Sequence, residues 1–94
     1  MEQTVGKRKL LKYFEITGRA LEAAKKSGNR TKMIRERNEF LLMAESYYKD
    51  AQHYYEKGDW VTAFAALNYA HGWLDAGARL GLFDVHDTEL FASD

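Results

Sequence analysis

Cysteine and proline are both absent from this sequence of 94 residues. Without cysteine there is no disulfide framework, no iron–sulfur cluster and no thiolate zinc site. Without proline nothing forces a break in a helix, and turn clusters are few, so long helices with short connections are expected. No segment approaches the roughly 20 apolar residues of a membrane span. The basic opening MEQTVGKRKLLKYF lacks an apolar run of signal-peptide length. The expectation is a disulfide-free, soluble, cytoplasmic protein with no membrane association.

Apolar residues make up 46% of the chain and aromatic ones 14%, enough for one core in a single small domain over 1–94. The formal charge of zero conceals an asymmetry. Residues 1–38 carry eleven Lys/Arg against four acids, and residues 39–94 carry three against ten, which gives +7 and −7. Asymmetry of this kind points to contacts between the halves or with a charged partner.

Three helical segments are legible, about 5–27, 31–57 and 59–82, followed by an acidic tail over 83–94. In the first, Leu10, Phe14, Thr17, Leu21 and Ala24 recur at spacings of four and three and form one stripe. Gly28 suits the turn after it, and Asn29 or Thr31 suits the cap of the next helix. The second segment presents Phe40, Ala44, Tyr47, Ala51 and Tyr54 on one side. In EKGDW, Gly58 ends that helix and Asp59 caps the third. The pattern predicts an all-α, up-and-down three-helix bundle.

The third segment is apolar nearly all round. Trp60, Phe64, Leu67, Leu74 and Ala78 share one face with His71, while Tyr69, Trp73 and Leu80 lie roughly opposite. Two neighbouring helices do not easily cover such a helix, so a further surface is expected on it: a second subunit, another protein or the chain's own tail. The tail, FDVHDTELFASD, is expected to dock loosely or to be disordered. Gly72, Gly77 and Gly81 each cost a helix roughly 1 kcal/mol relative to alanine; close helix packing is the expected return, with Gly81 alternatively marking the helix end.

The hairpin over residues 44–76 has tetratricopeptide-like spacing, but no second copy of that period occurs, which excludes a repeat array. The segments YYKDA, YYEKGDWVTAF and above all YAHGWLDAGARLGLF resemble a small archaeal helical family known as domain of unknown function 357. The likeness covers roughly residues 40–84. It implies an up-and-down three-helix bundle from an archaeal cytoplasm and brings no activity, cofactor or catalytic residue with it.

Three sets of residues are candidates for function. His71, Asp75 and Arg79 are successive i,i+4 neighbours, a pattern that would let a carboxylate orient a base while an arginine holds an anion, as in a hydrolase or nuclease. A catalytic zinc wants about three protein ligands, and His53 and His86 belong to other elements, so neither metal nor cofactor is expected. The alternative role for the trio is structural, with His71 bonded to Asp75 or to a tyrosine of the second helix. Tyr69, Trp73 and Leu80 are the expected interface residues of a non-catalytic protein-interaction module, binding a protein partner or a second copy. Arg30, Lys32, Arg35 and Arg37 open the second helix, where the macrodipole disfavours cations. They suit a nucleic acid or other polyanion, or pairing with Asp84, Asp87 and Glu89 of the tail.

Overall fold

The computed structural model describes residues 5–92. Three helices, α1 (Lys7–Lys26), α2 (Ile34–Glu56) and α3 (Trp60–Leu80), form the all-α bundle, which measures 46 × 23 × 22 Å. Cross-helix pairs fix its topology. Tyr47 meets Tyr69 and Phe40 meets Trp73, so α2 and α3 are antiparallel. Tyr13 meets Phe64 and Thr17 meets His71, so α1 and α3 run the same way.

Each helix buries what its spacing dictates. α1 buries Leu10, Thr17, Ala20, Leu21 and Ala24. In α2 only Ala44 and Ala51 are fully buried; these small side chains let α3 approach closely, with larger residues such as Phe40 and Tyr48 at the edges. One core cluster, around Leu10, Ala51, Ala63 and Leu67, lies toward the hairpin end. The other joins Ala24, Ala44, Leu74 and Ala78 to Leu82, Phe83, Leu90 and Phe91 at the opposite end.

Two glycines terminate helices by the same device. Gly58 has φ of +81° and Gly81 has φ of +84°, conformations that cost a Cβ-bearing residue more. Asp59 N–H donates to Tyr54 O and Gly58 N–H to Tyr55 O; Leu82 N–H donates to Gly77 O and Gly81 N–H to Ala78 O. Both are Schellman motifs, which satisfy carbonyls left open at a helix end. Asp59 then caps α3 by accepting from Thr62 N–H at 3.1 Å.

The connection between α1 and α2 is longer than the spacing suggests. Asn29 Oδ1 accepts from Thr31 N–H and Thr31 Oγ1 accepts from Met33 N–H. These local side-chain turns hold residues 29–33 out of the helix, so α2 starts at Ile34 with Met33 as its N-cap and no side-chain cap. The tail also departs from expectation. Leu82 and Phe83 are fully buried, and Leu90 and Phe91 nearly so. Residues 1–4 at the start, and 93 and 94 of the tail, lie outside the described residues.

Candidate functional site

On the flank of α3 that faces α1, His71 is held from two directions. Its Nε2 lies 2.5 Å from the Leu90 carbonyl and its Nδ1 lies 3.0 Å from Thr17 Oγ1. A carbonyl can only accept, so Nε2 carries a proton and donates to Leu90, while Nδ1 shares a hydrogen bond with the Thr17 hydroxyl. Asp75 Oδ1 is 3.7 Å from His71 Nε2 and accepts from Ala92 N–H at 2.8 Å. Both ring nitrogens are thus engaged within the chain. Arg79 does not join the pair: it is exposed in the last turn of α3 and makes no hydrogen bond or ion pair among the described residues. Nor do any three His, Asp or Glu side chains converge as a metal-ligand set among the described residues. An open cleft of about 490 Å³ beside the tail is lined by Tyr13, Asn68, His71, Asp75 and Glu89, among others.

The partner of His71 is a residue that periodicity placed in a core stripe without singling it out. Thr17 is 1% exposed, the one buried polar residue of the described chain. A polar residue on an apolar stripe was the available signal, since a buried hydroxyl needs a partner. The contribution of the tail backbone had no signal in side-chain spacing.

The outward face of α3 is of another kind. Val61, Ala65, Tyr69, Gly72, Ala76 and Leu80 are all exposed, Tyr69 to 58% and Leu80 to 54%. Arg79 alone brings a charge to this strip. Gly72 has nothing within 4 Å of where a Cβ would stand, whereas a Cβ on Gly77 would meet the Phe83 ring at 2.1 Å. Close packing therefore accounts for Gly77, the helix end accounts for Gly81, and nothing among the described residues accounts for Gly72. A shallow, largely apolar groove of about 350 Å³ runs along Asn68, Tyr69, Gly72, Trp73 and Ala76. Trp73 is half-buried at its edge, its ring set edge-on to Phe40 at 5.0 Å, with its indole N–H buried and unpartnered.

The basic residues do not form one patch. Antiparallel packing sends the start of α1 and the start of α2 to opposite ends of the bundle. Lys7, Arg8, Lys9 and Lys12 are exposed at one end; among the described residues no carboxylate lies within 4 Å of them, and Lys9 sits over the Phe64 ring. At the other end Arg37 is directed inward. It donates to Leu82 O at 2.7 Å, Ser27 O at 2.9 Å and Ala24 O at 3.2 Å, and lies over the Phe83 ring. Its planar, multi-donor head suits this role of tying the end of α1 to the segment after α3. Arg30 pairs with Asp84 at 3.6 Å, while Lys32 and Arg35 remain exposed. Between the helices Lys25 reaches Glu45 at 3.1 Å, and this hydrogen bond raises the Lys25 pKa above its usual value. Burial pushes the Tyr48 phenol up; its hydroxyl donates to Phe14 O.

Among the described residues no helix is long and apolar enough to cross a membrane. Neither curated proteins nor solved structures give a match to the chain. A family model does match, over residues 12–83, covering all three helices apart from Lys7–Leu11 of α1 and extending through Phe83. By that match the chain belongs to the family described as Protein of unknown function (DUF357).

Proposed function

We propose that this protein is a non-catalytic helical interaction module that self-associates through the outward face of α3. The observation that carries this reading is Gly72: a mid-helix glycine, exposed, with open space where its Cβ would be. Its helix-propensity cost of about 1 kcal/mol relative to alanine is not offset by any contact among the described residues. It is offset if a second helix crosses closely at that point. The strip also suits a two-fold crossing. An antiparallel pair centred near Gly72 sets Tyr69 of each copy against the small Ala76 of the other, large against small on both sides, as an isologous interface requires. The near-absence of charge along the strip removes the repulsion that like faces otherwise suffer.

A contact made by one helix from each copy falls at the low end of interface sizes, below about 1,200 Å² in total. The association is therefore weak and strongly concentration-dependent. Sedimentation velocity over a wide concentration range, on the wild type and on the Tyr69→Asp/Leu80→Asp double variant, tests it. The reading requires a concentration-dependent rise in sedimentation coefficient that the variant abolishes while its helical circular dichroism stays unchanged. A wild type that remains monomeric throughout, or a variant that associates as well as the wild type, overturns it.

A further inference from the structure

The tail is held in a way that resembles a bound peptide more than a continuation of the fold. His71 and Asp75 lie one turn apart on α3. His71 donates to the carbonyl of Leu90 and Asp75 accepts from the amide of Ala92, so the two side chains read backbone groups of one short segment. Between those bonds the side chains of Leu90 and Phe91 enter the core beside Ala20, Leu21, Ala24 and Ala78. Backbone hydrogen bonds for purchase and adjacent side-chain sites for selectivity are the usual components of peptide recognition. From Asp84 to Glu89 the connection is mostly exposed, its turn made by Asp87, which accepts from the amides of Glu89, Leu90 and Phe91. A segment anchored at a few points behind an exposed connection opens at lower cost than the body of a domain.

We propose that the groove between α1 and α3, formed by Thr17, His71 and Asp75 over the Ala20–Ala24 stretch, is a peptide-binding site that accepts the Glu89–Ala92 segment of a second copy in place of the chain's own. None of the groove contacts depends on which chain supplies the segment. His86–Thr88 is the exposed hinge, because Asp84 is fixed to the first loop by its N–H to Gly28 O and by Arg30, and Val85 packs against the core. Reciprocal exchange closes a two-fold dimer without any new surface, the usual economy of a domain swap. This interface is separate from the outward face of α3 and stands whether or not that face associates.

The absence of cysteine permits a direct test on the full chain. A nitroxide placed by Ala92→Cys, at an exposed position at the end of the segment, is mixed with ¹⁵N-labelled wild-type chain at high concentration. Exchange requires loss of amide signal intensity at Thr17, His71 and Asp75 of the labelled copy, and recovery of that intensity when excess Asp84–Ala92 peptide is added. A Leu90→Ala/Phe91→Ala version of the nitroxide chain must lose the effect. If that version does not fold, titration of unmodified ¹⁵N-labelled wild type with the peptide gives the second reading: the Phe91 and Ala92 amide signals must move as the native segment is displaced. Intensity loss confined to Gly72 and Ala76, an effect insensitive to the peptide, or a wild type undisturbed by it each overturns the proposal.

Discussion

Two glycines of the same helix face opposite circumstances. Gly77 lies under the Phe83 ring, where a Cβ would stand 2.1 Å from a ring carbon; Gly72 looks onto open space. On the inward side Gly77, His71 and Asp75 are each answered by another part of the chain, down to the tail backbone on His71 and Asp75. On the outward side Tyr69 touches Tyr47 at one edge yet stays 58% exposed, and Leu80 is 54% exposed. A helix apolar on most sides is thus covered on one side by its own chain and left exposed on the other.

The comparison can be broken most severely from the inside. Phe83→Ala removes the largest fully buried side chain and should cost about 3–5 kcal/mol, read as a fall in the urea midpoint. Gly77→Ala forces the same ring aside and should cost about 1–3 kcal/mol through overpacking. A Gly77→Ala protein as stable as wild type would mean that Phe83 has another place to go.

His71→Ala acts one step further out. It leaves the Thr17 hydroxyl and the Leu90 carbonyl without their partner, at about 1–3 kcal/mol if no water replaces the ring. The local signature sharpens the test: hydrogen exchange at the Ala92 amide should accelerate more than at amides in the middle of α2. Equal acceleration everywhere would show that the tail is not separately anchored.

On the outward face the effects should have opposite signs. Gly72→Ala should stabilise the isolated chain by up to about 1 kcal/mol while weakening self-association, measured by denaturation at low concentration and sedimentation at high concentration. Gains in both would dissolve the contrast between the two glycines.

The smallest effect lies at the Lys25–Glu45 bridge. The folded pKa of Lys25 is raised, foremost by its hydrogen bond to Glu45. The bridge therefore contributes fully below the unfolded value of 10.5, and its contribution is lost as pH rises through the higher folded value. The Tyr48 shift has the same sign, since an ionised phenol is disfavoured in its buried setting. Wild type should lose stability above that range, and Glu45→Gln should lose less. Identical pH profiles would show the exposed bridge to be without consequence, as many are.

The parts legible in the sequence were those set by local rules. Gly58 and Asp59 announced a helix end and a cap because each acts within a few residues. The α1 stripe was readable because burial imposes a period. Asn29 and Thr31 were legible as turn-formers, yet their competition delays α2 to Ile34, since the same side chains that cap a helix also bond each other. Of the polar trio, spacing grouped His71, Asp75 and Arg79 on one side, but about 100° of rotation per residue separates their directions enough for Arg79 to escape the groove that the other two enter.

By itself, the sequence determined three helices, their order and the surplus of apolar surface on the third, because propensity, capping and periodicity are properties of neighbouring residues. The tertiary structure decided which flank of that helix the tail would close, and that Arg37 turns inward. It also decided that the two basic clusters, one continuous half of the sequence, stand at opposite ends of the molecule. Those outcomes depend on antiparallel packing, which brings together residues far apart in the chain and separates residues that are close.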